Sequence, residues 1–261
     1  MRRNDSVEFI FPDKTHYILW QEHINRYIFA LRFVSSKIVF DLACGTGYGT
    51  KLLSETSDFV IGADISREAL AYAKRHYGRV HNTEFILSDA HNLPFRDEVF
   101  DSVVSFETIE HLVHYEKFIH EIHRVMSAGG QFILSTPNRE RSARNPFHVK
   151  EFNVEELSQS LGNFSKGFQL YGQCYDRIND WILQILSNLL SAVGLMNSFK
   201  RHQGIAEKIY KPPVAGGKND RKSSLISSIL STIIDPTYRV RKFRKFYSIY
   251  APKFLIAVAT K

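Results

Sequence analysis

The segment 38–50 constrains the fold of this chain more than any other stretch. A short β-branched, apolar run ends in Asp41, a turn containing Gly45 and Gly47 follows, and a helix-forming stretch then begins. This order predicts a strand, a loop and a helix at the carboxyl end of a first parallel strand, where open α/β sheets bind ligands. Glycine in the turn allows positive φ and close approach of a ligand. No Gly-Lys-Ser/Thr follows, so the turn is not predicted to cradle a phosphate.

An acid directly before the loop favours a ligand with positive charge over a pyrophosphate. With that acid, residues 41–49 (Asp-Leu-Ala-Cys-Gly-Thr-Gly-Tyr-Gly) resemble the first motif of class I S-adenosylmethionine-dependent methyltransferases. The resemblance implies S-adenosylmethionine as cofactor, which carries an amine and a sulfonium but no phosphate. It also implies that the cofactor lies against Asp41, Ala43, Gly45 and Gly47.

Two further acids follow at the ends of predicted strands. The second strand ends in Asp64, about twenty residues after the glycine turn, which is the spacing at which a carboxylate meets a ribose. Ile65 could then pack on the adenine face. The third strand leads to Asp89 and Ala90, which resemble the adenine-binding turn of the family. The ordered set of strand-end acids predicts one cofactor site along one edge of a sheet.

The fourth predicted strand ends at Phe106, which we count with the cofactor site. Glu107, Glu110 and His111 follow at spacings of three and four residues, which would place them on one face of a helix. His148 lies in a polar loop after the fifth strand. These four groups, together with His114, are the groups available near the rim of the fourth and fifth strands for the reaction chemistry.

Three interpretations of these groups stay open. In the first, His111 or His148 is a general base for an acceptor hydroxyl. In the second, Glu107, Glu110, His111 and His148 bind one divalent metal ion that holds the hydroxyl. This pattern resembles the metal site of small-RNA 2′-O-methyltransferases and of ubiquinone-pathway O-methyltransferases. In the third, Glu107 contacts the methionine end of the cofactor while Glu110 and His111 only cap and pack a helix.

Ahead of the first strand, apolar residues at helical spacing predict a helix from Thr15 onward, within an N-terminal helical cap at 1–32. Its Glu-His-x-x-Arg-Tyr pattern resembles a subgroup of methyltransferases common in bacterial sugar and polysaccharide pathways. Either this helix only packs on the sheet edge, or His23, Arg26 or Tyr27 reach over the cofactor pocket.

The predicted fold class is α/β, a Rossmann-like seven-stranded sheet with helices on both faces. The methyltransferase domain is expected to cover 33–175 and 249–261, and the resemblance implies that the last strand is antiparallel beside the fifth. A helical insert is predicted at 176–248. Thirteen Lys/Arg against three Asp/Glu between 200 and 253 make this region basic in a chain of net charge +7.

The insert is interpreted first as a cap over the substrate mouth with solvated basic groups. A second interpretation is a peripheral contact with a membrane surface, because apolar faces beside Lys/Arg suit an interface. The apolar stretch 181–196 has 16 residues, which is short for a membrane span. Nucleic-acid binding is the weakest alternative, since few aromatic residues are interleaved with the basic ones.

The resemblance implies an S-adenosylmethionine-dependent methyltransferase that methylates an oxygen of a small hydroxylated acceptor, such as a glycan sugar or a secondary metabolite. One alternative is a quinone or lipid methyltransferase at a membrane surface. Alternatives from another class are a catalytically idle cofactor-binding partner and an RNA-binding module. Only Cys44 and Cys174 are cysteines, and no apolar run follows the first charged residues, so a cytoplasmic protein is expected. The oligomeric state is left open.

Overall fold

The computed structural model of the chain describes residues 9–173 except 13, 16, 36, 143–144, 163–164 and 166, together with 240–242 and 252–261. The chain divides into one unit of residues 1–174 and 240–261 and a second unit of residues 175–239. The second unit lies outside the described residues. So does the predicted insert at 176–248, apart from 240–242, together with the apolar stretch 181–196 and Cys174.

The described elements follow the predicted alternation of strands and helices. The helices are α1 (Tyr17–Ala30), α2 (Tyr48–Leu53), α3 (Arg67–Tyr77), α4 (Tyr115–Val125) and α5 (Val154–Gly162). The strands are β1 (Ile38–Leu42), β2 (Phe59–Asp64), β3 (Thr83–Leu87), β4 (Phe100–Phe106), β5 (Met126–Pro137), β6 (Gly167–Gln173), β7 (Val240–Lys242) and β8 (Phe254–Thr260). A 3₁₀ turn covers Ile109–His111.

The strands form one mixed sheet in the order β3-β2-β1-β4-β5-β8-β6-β7. The first five strands of the chain pair in parallel, and β8 is antiparallel to both β5 and β6. The predicted fold class is confirmed, including the position of the last strand beside the fifth. The sheet therefore has a parallel half, whose strands all end at one edge, and an antiparallel half.

The described sheet has one strand more than the seven predicted. Strand β7 lies within the region predicted as a helical insert and pairs antiparallel with β6, with Tyr171 opposite Lys242. Without β7, β6 would be the edge strand and would have unpaired backbone groups. A short extended segment such as β7 can pair with these groups. Strand β7 is thus the outer strand at this side of the described sheet.

Hydrophobic cores lie on both faces of the sheet. Phe40 belongs to a core that includes Ile122 of α4, whereas the preceding Val39 belongs to a core that includes Phe29 of α1. Because successive strand residues point to opposite faces, helices cover both faces, as predicted. Among the described residues, no helix is both long enough and apolar enough to cross a membrane.

Candidate active site

The loop after β1 passes three times through the left-handed region of backbone space. Ala43, Gly45 and Gly47 have φ values of 61°, 53° and 82°, so Ala43 is a strained residue. A Cβ on Gly45 would have Phe9 Cδ1, at 4.0 Å, as its nearest described neighbour, which leaves room for a ligand. A Cβ on Gly47 would lie 2.6 Å from Ala73 Cβ. Packing on α3 therefore accounts for Gly47, and ligand approach is the better explanation for Gly45.

Asp64 connects this loop to the end of β2. Its Oδ2 accepts a hydrogen bond from the Gly45 N–H at 2.8 Å, and its Oδ1 accepts one from the Ser66 N–H at 2.8 Å. Burial raises the pKa of Asp64, although both backbone N–H groups oppose that shift. An ionised carboxylate offers about four acceptor positions, so the predicted ribose hydroxyls could still bind to this side chain.

Asp41 lies beneath the loop and is fully buried. Its Oδ2 accepts a hydrogen bond from Thr50 Oγ1 at 2.6 Å, and its Oδ1 accepts one from the Tyr27 hydroxyl at 3.1 Å. Burial raises the pKa of Asp41 to about 7 despite these two hydrogen bonds. Direct contact of Asp41 with the cofactor stays a prediction. These contacts also allow the charge of Asp41 to attract a positively charged cofactor without touching it.

The predicted adenine end of the site is open. Strands β2 and β3 are parallel with Asp64 opposite Leu87, so Asp89 follows at the same edge as Asp64. Asp89 Oδ1 accepts a hydrogen bond from the His91 N–H at 2.8 Å, and this bond lowers the pKa of Asp89. Ile65 and Asp89 are both exposed. The three strand-end acids therefore share one edge of the sheet.

Ala90 and Phe106 complete the predicted cofactor residues. Ala90 is half-buried directly after Asp89. Phe106 ends β4, the parallel neighbour of β1, and its ring centroid lies 4.9 Å from that of Tyr27. All nine predicted cofactor residues thus lie at the ends of the four adjacent strands β1–β4 or in the loops that follow them.

Three of the four candidate metal ligands come together. Glu110, His111 and His148 each offer one ligand-type atom, and these atoms lie within 4.8 Å of one another. The loop that carries His148 is anchored at this position, because the Glu110 carbonyl oxygen accepts hydrogen bonds from the N–H groups of Val149 at 2.8 Å and Lys150 at 3.1 Å. We call Glu110, His111 and His148 the rim cluster.

Glu107 does not belong to the rim cluster. Its Oε1 accepts a hydrogen bond from Ser135 Oγ at 2.8 Å and lies 4.0 Å from Arg26 Nη2. The predicted helix face shared by Glu107, Glu110 and His111 is wrong, because the 3₁₀ turn covers only Ile109–His111. Glu107 itself has a left-handed φ of 53°, which turns the chain before the helical turn begins.

Glu110 has the most unusual environment in the rim cluster. It is fully buried, and its Oε2 accepts a hydrogen bond from Thr136 Oγ1 at 3.0 Å. Its Oε1 has no hydrogen-bond partner among the described residues. Burial and then the charge of Glu107 raise the pKa of Glu110. A buried acceptor without a partner costs about 1–3 kcal/mol, so this oxygen suits a bound cation or a donor from a ligand.

Arg26 is the buried cation of the site. The sequence left open whether it reached the pocket, and the structure buries it completely beside Glu107. Its Nη1 donates to Gln173 Oε1 at 2.8 Å, and its guanidinium carbon lies 4.4 Å from the centroid of the Phe254 ring. Among the described residues, its Nε and Nη2 have no hydrogen-bond partner. Two buried donors are thus left for an anionic group.

Sequence reasoning missed the side chains that surround His148. Its Nδ1 lies 2.8 Å from Glu151 Oε1, and its Nε2 lies 3.2 Å from Asn145 Nδ2. These residues belong to a polar loop without periodicity, and a glutamate three residues after a histidine was the only local signal.

Comparison with known proteins agrees with this geometry. Residues 40–134 match the family described as "Methyltransferase domain". A protein of Mycolicibacterium smegmatis described as "Probable S-adenosylmethionine-dependent methyltransferase" is 33% identical over 154 residues, which are 57% of this chain and 56% of that protein. A demethylmenaquinone methyltransferase of Clavibacter sepedonicus is 32% identical over 122 residues, covering 46% of this chain and 49% of that protein.

A phthiotriol/phenolphthiotriol dimycocerosates methyltransferase of Mycobacterium ulcerans is 32% identical over 119 residues, 44% of each chain. The chain thus spans about half the length of the curated relatives it matches. Among solved structures, the fold is similar to that of a SAM-dependent methyltransferase from Thermotoga maritima, with a TM-score of 0.56, 16% identity and coverage of 94% of each chain. At this identity the structural similarity concerns the fold alone.

Proposed function

We propose that the chain methylates a hydroxyl oxygen of a small acceptor, such as a glycan sugar or a secondary metabolite. Residues 40–134 match the methyltransferase domain family, and a relative of 33% identity is described as a probable S-adenosylmethionine-dependent methyltransferase. The observation that carries this proposal is the edge at which Asp41, Asp64 and Asp89 lie at or just after the ends of β1, β2 and β3, where Asp64 binds Gly45, a residue with space beside its Cα. Three acids and no phosphate-binding lysine suit a positively charged cofactor. S-adenosylmethionine supplies an activated methyl group, so the chain mainly has to align the acceptor and exclude water.

Each strand end is proposed to hold one part of the cofactor. Asp64 accepts hydrogen bonds from the ribose hydroxyls, as its spacing after the glycine turn suggests. The exposed side chain of Ile65 packs on the adenine ring. Asp89 accepts a hydrogen bond from the exocyclic amine, and the Ala90 N–H donates to a ring nitrogen. The openness of this edge supports the assignment.

Arg26 is proposed to bind the carboxylate at the methionine end of the cofactor. A guanidinium fork matches a carboxylate with two parallel hydrogen bonds. The unused Nε and Nη2 donors and the neighbouring strained Glu107 support this role. This assignment selects the second of the two sequence interpretations of α1, in which the helix reaches over the pocket.

The rim cluster is proposed to act on the acceptor hydroxyl. His111 or His148 could accept the hydroxyl proton directly as a general base. Alternatively, Glu110, His111 and His148 could hold one divalent metal ion, because one carboxylate and two imidazoles suit several first-row metals. Such an ion, when bound, would lower the pKa of the hydroxyl. The buried Oε1 of Glu110, which lacks a partner among the described residues, supports the second option.

Metal binding can be tested on the protein alone. We expect one Co²⁺ or Mn²⁺ site in the chelator-treated protein, and at least about tenfold weaker binding in Glu110→Gln and in His148→Ala, since each removes a ligand. The metal affinity of each variant is measured by isothermal calorimetry and by the visible absorption of bound Co²⁺. His81→Ala is the matched control, because His81 is exposed and far along the chain from the rim cluster. Unchanged binding in both rim variants, or none in the wild type, would leave only the general-base option.

A quinone or lipid acceptor is the second candidate, and one observation favours it. Val113, Phe147 and Val149, which flank the rim cluster in sequence, are 66%, 48% and 56% exposed. Exposed apolar side chains beside a reaction site suit an acceptor with an apolar body. Relatives named for a menaquinone precursor and for phthiotriol dimycocerosates also favour this candidate.

A methyl-transfer assay decides between these acceptors. The chain is incubated with methyl-labelled S-adenosylmethionine and either hydroxylated sugars or a hydroxylated quinone in detergent micelles. We expect label in the sugar fraction. Faster transfer to the quinone would favour the second candidate. Calorimetric binding of the cofactor without transfer to any acceptor would support the idle cofactor-binding partner, and salt-sensitive binding of RNA would support the RNA-binding module.

A further inference from the structure

We propose that Glu151, together with Asn145, fixes the proton of His148 on Nδ1 and so keeps Nε2 as its unprotonated nitrogen. Glu151 is thereby a positioning residue, since it acts through His148. The inference rests on the proposed function in that it concerns a rim-cluster residue. It nevertheless makes a separate claim, because a tautomer can be observed without cofactor, metal or acceptor.

The first contact that sets the tautomer is between His148 and Glu151. His148 Nδ1 and Glu151 Oε1 are 2.8 Å apart, and the two side chains are 9% and 12% exposed. Ser142 Oγ donates to the same Oε1 at 2.7 Å. Glu151 Oε1 thus acts as the acceptor of the Ser142 hydroxyl, and the same oxygen accepts from His148. Nδ1 of His148 therefore carries the donating proton.

The second contact leads independently to the same tautomer. Asn145 Oδ1 accepts a hydrogen bond from the Phe147 N–H at 3.0 Å, which fixes the orientation of the amide. Asn145 Nδ2 therefore faces His148 Nε2 at 3.2 Å. An amide nitrogen can only donate, so Nε2 of His148 must accept. Two neighbours of opposite hydrogen-bonding character thus hold the two ring nitrogens in one protonation pattern.

His111 is held in the same pattern by the backbone of the same loop. Its Nδ1 lies 3.1 Å from the carbonyl oxygen of Phe147, which can only accept. Nδ1 of His111 therefore carries a proton and donates to this carbonyl oxygen. The two rings lie with their centroids 5.0 Å apart at an interplanar angle of 79°. The rim cluster thus brings two imidazole rings together with the buried Glu110 side chain.

This arrangement serves either proposed chemistry. A carboxylate that receives one N–H of an imidazole raises the basicity of the other nitrogen and orients the ring, both for a metal ion and for a general base. Asn145 occupies the Nε2 lone pair through one hydrogen bond, which a metal ion or an acceptor hydroxyl would replace. Glu151 lies behind the ring and does not need to touch either ligand.

The tautomer can be measured directly by two-bond ¹H–¹⁵N correlation spectroscopy of the full chain labelled at histidine nitrogens. The His148 signals are those absent from His148→Gln. We expect wild-type His148 to show a protonated Nδ1 and a bare Nε2. Glu151→Leu, which keeps volume and loses the acceptor, should shift a large fraction of His148 to the other tautomer. Glu151→Gln retains an acceptor oxygen and should preserve the wild-type pattern.

Glu155→Gln is the matched control, because it makes the same chemical change four residues later at an exposed position of α5. It should leave the His148 signals unchanged. A wild-type His148 with its proton on Nε2, or identical His148 signals in wild type and Glu151→Leu, would overturn the inference. Near-ultraviolet circular dichroism identifies any variant that fails to fold, and Glu151→Ala then replaces Glu151→Leu, with the same shift of the His148 tautomer expected.

Binding of Co²⁺ separates this inference from the proposed function. We expect Glu151→Leu to weaken Co²⁺ binding about 10- to 100-fold, as loss of an outer-shell partner typically does, and Glu155→Gln to leave it unchanged. Equal binding in wild type and Glu151→Leu would remove the positioning role and keep the metal site. If wild-type His148 shows the expected tautomer but the protein binds no Co²⁺, the positioning role of Glu151 stands. The metal ion is then removed from the proposed function.

Discussion

Replacement of Asp64 by alanine is expected to weaken binding of S-adenosylmethionine and of its demethylated product at least about 100-fold. Two hydrogen bonds from ribose hydroxyls to a charged group contribute about 1.5–3 kcal/mol each, and about 3 kcal/mol corresponds to a factor of about 100. The variant also loses the hydrogen bond from the Gly45 N–H at 2.8 Å. The glycine loop would then keep its hydrogen bond from the Cys44 N–H to the Ala63 carbonyl oxygen of β2 but lose the one to Asp64, which adds to the loss of affinity. Isothermal calorimetry on the metal-free protein measures the binding affinity of both ligands.

The controls for Asp64 separate ribose binding from general charge effects. Asp58→Ala removes an exposed acid just before the same strand and should bind both ligands like the wild type. Asp64→Asn keeps one acceptor oxygen and should lie between wild type and Asp64→Ala. If Asp64→Ala bound the cofactor within about threefold of wild type, the assignment of the ribose to the end of β2 would be wrong.

Replacement of Asp41 by asparagine is expected to remove a large pH dependence of stability. Burial raises the pKa of Asp41 from its ordinary value of 3.8 to about 7 in the folded chain. Below about pH 4 the carboxyl group of Asp41 is neutral in both the folded and the unfolded chain, so it does not lower the free energy of unfolding. As the pH rises toward 7, the unfolded chain releases this proton first. The free energy of unfolding therefore falls with pH, by as much as about 4 kcal/mol above pH 7.

Urea denaturation of the cofactor-free protein at several pH values between 5 and 8.5 tests this expectation. The difference in free energy of unfolding between Asp41→Asn and wild type should shift in favour of the variant as the pH rises. Asp58→Asn serves as control, since its carboxylate is exposed, and it should follow the wild-type curve. A constant difference between Asp41→Asn and wild type across this range would mean that Asp41 is ionised throughout.

The pH dependence also bears on cofactor binding. An ionised Asp41 is destabilising in the cofactor-free chain because it is buried and its hydrogen-bond donors among the described residues are the neutral hydroxyls of Thr50 and Tyr27. A ligand with an ammonium and a sulfonium group would supply the missing positive charge. Saturating S-adenosylmethionine should therefore reduce the difference between the wild-type and Asp41→Asn curves.

The sequence by itself predicted the parallel half of the sheet and the edge at which its strand-end acids lie together. Apolar runs, strand-end acids and the glycine turn are local features, and the five strands β1–β5 were all predicted from them. The place of β8, antiparallel beside β5, came from family resemblance. The short strand β7 could not be predicted, because three residues with no apolar alternation extend the sheet only where β6 leaves an edge unpaired.

The membership of the rim cluster was decided only by the tertiary structure. Spacing alone grouped Glu107 with Glu110 and His111, yet the backbone turns at Glu107 and directs that side chain to Ser135. His148 joined the cluster because the Glu110 carbonyl oxygen holds its loop through the Val149 N–H. Helical periodicity describes neighbours along one regular element, whereas these contacts join a 3₁₀ turn to a distant loop. Only chain folding brings such segments together.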